Sequence, residues 1–364
     1  MPHYGAEPRR SRSALRGVMI LCLSFVVGAC GLMPAAPRTS SEPSPSVPGS
    51  SGSTEPSLPP APEPTPVDAS VAAGVAFVRN VDGLDQLFVI DPDGSARQVG
   101  GRGRHSTIGA AQPLWSPDGT MIAFGPPTVG SGLAAELWIV NADGTRQRAL
   151  ATLGEFTDWS PDSRRLVWTD SVLTTDTTGQ PPRIWVGEAA SREVTQLGEI
   201  GNSTRWLADG EQISYVPYEP QQDPRIMVVA VNGGEPRHLI EGGVAHWAPD
   251  GSALLVERDD GIHIADADGQ NARLLVEGGA LPAWSPDGSR VAFVAIDGSG
   301  NFAVGVATLD GEIVWEGVPG TDPAWSPDGD HLAVDLTISE PLVGILDAAT
   351  GDLVWEFEGR YPDW

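Results

Sequence analysis

From residue 74 onward, short apolar runs alternate with turn residues in a recurring order. Met121-Ile-Ala-Phe124, Arg165-Leu-Val-Trp168, Gln212-Ile-Ser-Tyr215 and Arg290-Val-Ala-Phe293 form one set. A second run follows, such as Glu136-Leu-Trp-Ile-Val140 or Gly261-Ile-His-Ile264. Runs this short, rich in β-branched and aromatic residues and bounded by Gly, Pro and Asp, predict strands. The second run closes in a turn, Asn141-Ala-Asp-Gly144 or Asp266-Ala-Asp-Gly269, and a last strand such as Arg148-Ala-Leu150 or Ala272-Arg-Leu-Leu275 completes the unit. Ahead of each first run stands a tryptophan turn. Trp115, Trp284 and Trp325 are each followed by Ser-Pro-Asp-Gly, while Trp159, Trp206 and Trp247 begin degenerate copies. In that turn Pro fixes φ, Asp caps and Gly accepts a positive φ. With the strand that ends at the Trp, each unit predicts four strands, and a spacing of about 40 residues is that of propeller blades.

The ends of the repeat predict how it closes. Tyr361-Pro-Asp-Trp364 matches Leu281-Pro-Ala-Trp284, so the chain finishes on the first strand of a unit. The region from Gly74 through Phe77, Gln86–Ile90 and Asp91-Pro-Asp-Gly94 reads as a unit lacking that strand. Joining the two predicts an all-β, seven-bladed β-propeller closed by pairing of the N- and C-terminal strands, with no open sheet edge left by the ring. Trp115, Trp159, Trp206, Trp247, Trp284, Trp325 and Trp364 share one repeat position. Such regularity predicts packing between blades rather than an aromatic binding face.

The Trp-Ser-Pro-Asp-Gly turn followed by a run like Ile-Ala-Phe resembles the TolB-type propeller repeat over residues 74–364. The resemblance implies a propeller and an envelope-associated binding role. Related blades accompany prolyl-oligopeptidase-type peptidases and various lipoproteins. This chain departs from the TolB pattern in having no small α/β domain before the repeats and in its seven predicted blades against six. Asp310-Gly-Glu-Ile-Val-Trp315 and Asp347-Ala-Ala-Thr-Gly-Asp-Leu-Val-Trp355 resemble repeats of quinoprotein-type propellers. Two copies do not imply a quinone, and no cofactor is expected.

The N-terminal region has another character. Arg9, Arg10, Arg12 and Arg16 precede the apolar run Gly17–Val27, which is short for a membrane span and suits an export signal. Val27-Gly28-Ala29-Cys30 resembles the bacterial lipobox, which implies removal of residues 1–29 and lipidation of Cys30. Residues 34–68 are dominated by Pro and Ser and lack core-forming side chains, so residues 30–72 predict a disordered tether. Ser and Thr beside Pro there also permit O-glycosylation. The folded unit is placed at 73–364. Cys22 lies in the apolar run, so the processed chain keeps one cysteine and the fold rests on packing.

The net charge is −26, and every one of the 22 basic residues is Arg. Removing residues 1–29 takes away four Arg and Glu7, which moves the charge to about −29. Such a surface repels nucleic acid and anionic headgroups. The Arg-only usage, with abundant Ala, Gly and Pro, suggests a GC-rich bacterial source such as an actinobacterium.

Catalytic motifs are absent. There is no Gly-x-Ser-x-Gly elbow, no His-Glu-x-x-His, no Walker loop and no dinucleotide fingerprint. His3, His105, His238, His246, His263 and His331 do not pair at ligand spacing, and Asp91–Gly94 and Asp266–Gly269 read as plain turns rather than calcium loops, so no metal is expected. One candidate site follows from the repeat. The first strand of each blade lines the central channel, and the residues just before the repeat Trp are Leu114, Asp158, Arg205, His246, Ala283, Ala324 and Asp363. Two positions before it stand Pro113, Thr157, Thr204, Ala245, Pro282, Pro323 and Pro362. Asp158, Arg205, His246 and Asp363 are therefore expected to converge at one channel mouth, either as a binding site or as mutually paired channel residues. The leading expectation is a monomeric, non-enzymatic lipoprotein on the outer face of the cytoplasmic membrane. It would bind an envelope protein, peptide or glycan, and would be anchored through Cys30. The alternatives are a propeller lyase or hydrolase using channel carboxylates and His246, and a sensor or accessory subunit of an envelope complex.

Overall fold

The computed structural model describes residues 69–101, 111–125, 136–152, 155–170, 181–191, 193–219, 221–296, 300–336 and 341–364. Residues 1–29, expected to be an export signal, Cys30, the Pro/Ser segment 34–68 and His105 lie outside them.

Short, β-branched segments broken by Gly and Asp turns form antiparallel strands throughout. β1 (Ala76–Val81), β2 (Leu84–Ile90) and β3 (Ala96–Gly100) make one sheet, completed on its inner edge by β27 (Arg360–Asp363). β4 (Ala111–Trp115), β5 (Met121–Gly125), β6 (Glu136–Asn141) and β7 (Arg148–Thr152) make the next. A seven-stranded sheet follows, of β8 (Glu155–Trp159), β9 (Arg165–Thr169), β10 (Arg183–Glu188), β11 (Val194–Trp206), β12 (Gln212–Pro217), β13 (Arg225–Ala230) and β14 (Arg237–Glu241). Its middle strand β11 runs 13 residues; its first half pairs β10 and its second half pairs β12. Three four-stranded sheets complete the chain. They are β15 (Ala245–Trp247) to β18 (Arg273–Glu277) through β16 (Ala253–Arg258) and β17 (Gly261–Asp266); β19 (Gly279–Trp284), β20 (Arg290–Ile296), β21 (Phe302–Thr308) and β22 (Ile313–Pro319); and β23 (Thr321–Trp325), β24 (His331–Asp335), β25 (Leu342–Asp347) and β26 (Leu353–Glu358). The join of chain ends is direct: Ala76 pairs with Asp363 and Val78 with Arg360.

The core lies between the sheets. Ala292, Val294, Val304 and Val306 of one sheet pack on Leu332, Val334 and Leu346 of the next. Phe77, Phe88 and Ile90 meet Ala333, Val343 and Ile345 across another interface, where Phe77 and Phe357 make an edge contact at 4.7 Å. Strands of this sequence bury both faces because each sheet has a neighbour on either side, which is the packing of a propeller. Among the described residues the 3-10 turn Ala69–Ala72 precedes β1, and its Ala72 is fully buried. Among the described residues no helix is long and apolar enough to cross a membrane.

Candidate functional site

The tryptophan turns set the inner strands. Ser285 is fully buried; its Oγ donates to Asp287 Oδ1 at 2.7 Å and accepts from the Arg290 N–H at 2.9 Å. Ser116, Ser160 and Ser326 do the same with Asp118, Asp162 and Asp328. The bonds from Ser285, then from the Ser289 N–H and hydroxyl, hold the Asp287 carboxyl at about 2. Most of the indoles then bond backbone or side-chain oxygens of the neighbouring sheet. Trp159, Trp284 and Trp325 donate to the carbonyls of Leu114, His246 and Ala283 at 2.9–3.0 Å. Trp115 and Trp364 donate to Gly74 and Ala73, and Trp247 donates to Ser214. Trp206 differs: among the described residues its indole N–H has no acceptor, and Arg165 lies over its ring at 4.7 Å. Trp315 of β22 also crosses to the next sheet, donating to Ala348 at 3.0 Å.

A repeated bulge in the first strand decides which side chains face the axis. The register shifts between Ala111 and Leu114, Glu155 and Asp158, Asn202 and Arg205, Ala280 and Ala283, and Thr321 and Ala324. Ser203, Leu281, Asp322 and Tyr361, each three residues before a repeat Trp, take φ between 49° and 54°. A bulge re-aims the residues on either side of it. Consequently the positions just before the Trp are all partly exposed, while Pro113, Thr204, Ala245, Pro282, Pro323 and Pro362, two before it, are buried. The third position before the Trp reaches across the axis. Gln112 Nε2 donates to Asp322 Oδ1 at 2.5 Å, a bond from β4 to β23 that passes the axial side of β27.

Asp158, Arg205 and His246 come together on successive inner strands, joined by Glu257 of β16. Asp158 Oδ2 accepts the Trp206 N–H at 2.7 Å, tying β8 to the second half of β11. Burial pushes the Asp158 carboxyl up, against the pull of Arg205, of the Trp206 and Trp159 N–H groups and of His246. Glu257 is 7% exposed; its Oε1 lies 3.2 Å from His246 Nε2 and its Oε2 accepts the Leu281 N–H at 3.3 Å. Burial opposes its charge, but the bond and charge of His246, the Leu281 N–H and Arg205 outweigh it, and the carboxyl sits below the usual range. Arg205 Nη1 donates to the Thr204 carbonyl at 2.9 Å. The result is two carboxylates alternating with a guanidinium and an imidazole.

Asp363 stands apart, which corrects the expected convergence of four. Its Oδ2 accepts the Trp115 N–H at 2.6 Å, and the β4 position between it and Asp158 carries Leu114. Asp158 and Asp363 therefore perform the same local task, latching one inner strand to the Trp amide of the next. Both keep some accessible surface, yet protein atoms crowd them, and burial pushes Asp363 up to about 6 against the Trp115 and Trp364 N–H groups.

A second acidic group lies by β23 and β27. Asp322 accepts from Thr321 at 2.8 Å as well as from Gln112; burial, aided by the charge of Asp335, pushes it up. Asp335 accepts the Tyr361 N–H at 3.2 Å. The sequence reading missed Glu257, Asp322 and Asp335. Two had a signal: Leu254-Leu-Val-Glu257 and Leu332-Ala-Val-Asp335 end in an acid where Phe124-Gly125, Trp168-Thr169 and Phe293-Val294 do not. Among the described residues, no group of three or more His, Cys, Asp and Glu side chains is placed to hold a metal ion.

Solved structures share this architecture. TolB from Acinetobacter baumannii is 17% identical, with a TM-score of 0.50 over 80% of this chain and 66% of that one. The fold is that of a TolB-like β-propeller. Prolyl oligopeptidase B from Galerina marginata aligns over 82% of this chain and 51% of its own, at 12% identity and a TM-score of 0.55. An oligogalacturonate lyase in complex with manganese aligns over 76% and 82%, at 15% identity and a TM-score of 0.51. The chain thus spans about two thirds of TolB and about half of the peptidase. At such identities the likeness carries the fold and not the chemistry, since propellers host both binding proteins and enzymes. No protein family matches the chain, and no curated protein matches it.

Proposed function

We propose that this chain is an extracytoplasmic binding protein, anchored through a lipidated Cys30, whose propeller takes an envelope protein, peptide or glycan at the axial sector of Asp158, Arg205 and His246. One observation carries the reading. Three of the seven positions before a repeat Trp carry Leu114, Ala283 and Ala324; of the four ionisable ones, Asp363 stands alone on β27 while Asp158, Arg205 and His246 fall on three successive strands, joined by Glu257. A concave surface with few convergent polar groups is the usual form of a ligand site. In this reading the propeller has seven blades, the seven-stranded sheet counting as two that share β11. The N-terminal charge, apolar run and Val27–Cys30 support export and anchoring, and the charge of −26 favours partners other than nucleic acid. In this reading the chain acts as a monomer.

The test compares capture by the full-length processed chain with an Arg205→Ala/His246→Ala variant that keeps its melting temperature. A partner from envelope extracts that is retained by the native chain and lost by the variant supports the axial site; equal retention refutes it. Labelled palmitate should enter the chain and be lost in Cys30→Ser. A second reading has a specific basis: the buried Glu257 holds the His246 imidazole as an orienting carboxylate holds a general base. Turnover of an envelope peptide or glycan abolished by both His246→Asn and Glu257→Gln would favour an enzyme.

A further inference from the structure

Away from the axis, on the flank where β11 passes between the two halves of the seven-stranded sheet, an open groove of about 710 Å³ is lined by Pro181, Ile200, Pro217, Tyr218 and Met227. Ile200 and Tyr218 are 43% and 51% exposed, high for large apolar side chains. Its polar rim is uneven. Arg225 is neutralised by Glu219 at 2.6 Å and also bonds Gln222. Glu199 has only a neutral donor, the Tyr215 hydroxyl at 2.8 Å, and no cation pairs with it among the described residues. Burial, with the bond and charge of Glu199, pushes that hydroxyl well above its ordinary range, so it stays a donor.

Tyrosine, proline and aliphatic walls beside an unpaired carboxylate suit an extended polyproline segment that carries a basic residue. The sequence offers a stretch of that composition. Pro34-Ala-Ala-Pro-Arg38 places two prolines three apart next to Arg38, the sole basic residue between Arg16 and Arg79. The more proline-dense stretch 57–66 carries Glu63 and no base. From Arg38 to Ala69 the intervening chain spans on the order of 30 Å as a flexible coil and roughly 95 Å as extended polyproline, enough to round a propeller domain. Tethering also presents the segment at roughly millimolar effective concentration, ahead of a free partner.

We propose that this groove docks the chain's own Pro34–Arg38 segment, with the prolines against Pro217 and Tyr218 and Arg38 paired with Glu199. With Cys30 lipidated, docking holds this flank of the propeller beside the anchor, and release lets it stand away on the tether.

The test uses the full-length processed chain in detergent, with the photoreactive residue benzoylphenylalanine in place of Ala36. Irradiation of a dilute sample should give intramolecular adducts at Met227 or Tyr218, mapped by mass spectrometry. Arg38→Glu should cut their yield by up to about fivefold, the scale of a lost exposed ion pair. Gly198→Trp should do likewise, because a Cβ at Gly198 meets open space and the indole fills the groove without strain. Glu199→Gln serves as a second variant should Gly198→Trp lower the melting temperature. Adducts on other faces, adducts whose yield rises with protein concentration, or adducts that survive these variants overturn the proposal.

Discussion

Replacing Asp363 with Asn should stabilise the protein at neutral pH. Asp363 sits on the four-residue strand that closes the ring, and its carboxyl titrates at about 6 against 3.8 for an ordinary aspartate. The folded state therefore binds this proton more tightly than the unfolded chain does. Stability from this group is gained as pH falls from 6 towards 3.8, and the charged form weighs against the fold at pH 7 and above. The difference corresponds to up to about 3 kcal/mol, at about 1.4 kcal/mol per pH unit. Asn is uncharged and of the same shape, and its Oδ1 can accept the Trp115 N–H that Asp363 accepts at 2.6 Å. At roughly 2 °C per kcal/mol for a fold of this size, Asp363→Asn should melt about 6 °C higher at pH 7.5. Thermal unfolding followed by tryptophan fluorescence at pH 7.5, 6.0 and 4.5 measures it, and the gap between the two proteins should shrink towards zero at the lowest pH. Asp363→Ala separates charge from bonding: it removes the acceptor and leaves the Trp115 amide short of a partner, returning about 1–3 kcal/mol of the gain. An Asn variant that melts at or below the native protein at pH 7.5, or a gap that does not change with pH, would refute the reasoning.

Glu257→Gln should act in the opposite sense. Its carboxyl is held below the usual range, so the stability it contributes is present above about pH 4.5 and fades as pH falls through its folded value; urea titration should show a loss of about 1–3 kcal/mol at pH 7 that narrows at pH 4. Trp325→Phe removes the indole bond to the Ala283 carbonyl between adjacent sheets and should lower stability by about 1 kcal/mol in the same titration. Ser285→Ala deprives both Asp287 and the Arg290 amide of their buried partner, and a loss of about 1–2 kcal/mol is expected; no loss would mean that water replaces the hydroxyl.

Much of the fold can be read from local signals. The runs Met121–Phe124, Arg165–Trp168 and Gln212–Tyr215 lie within β5, β9 and β12, and Tyr361-Pro-Asp363 joins β1 as the repeat alignment requires. These features are legible because strand alternation and turn chemistry act over a few residues, and repetition averages out the ambiguity of any one copy. The same alignment nominated Asp158, Arg205 and His246, whose charges act together across successive inner strands. It also grouped Asp363 with them, and its place was settled in three dimensions. A bulge in most inner strands changes which side chains face the axis, and at four of them its left-handed residue is Ser203, Leu281, Asp322 or Tyr361, with no Gly to mark it. Which acids share a site depends on what stands between neighbouring sheets, as Leu114 stands between Asp363 and Asp158. Glu257 reaches His246 from a different strand of the same sheet, and Gln112 reaches Asp322 across the sequence. The repeat alone determined the architecture, because local alternation and turn geometry are encoded residue by residue. The tertiary structure decided the chemistry of the axis, because ionisation and pairing depend on distances between strands far apart in the chain.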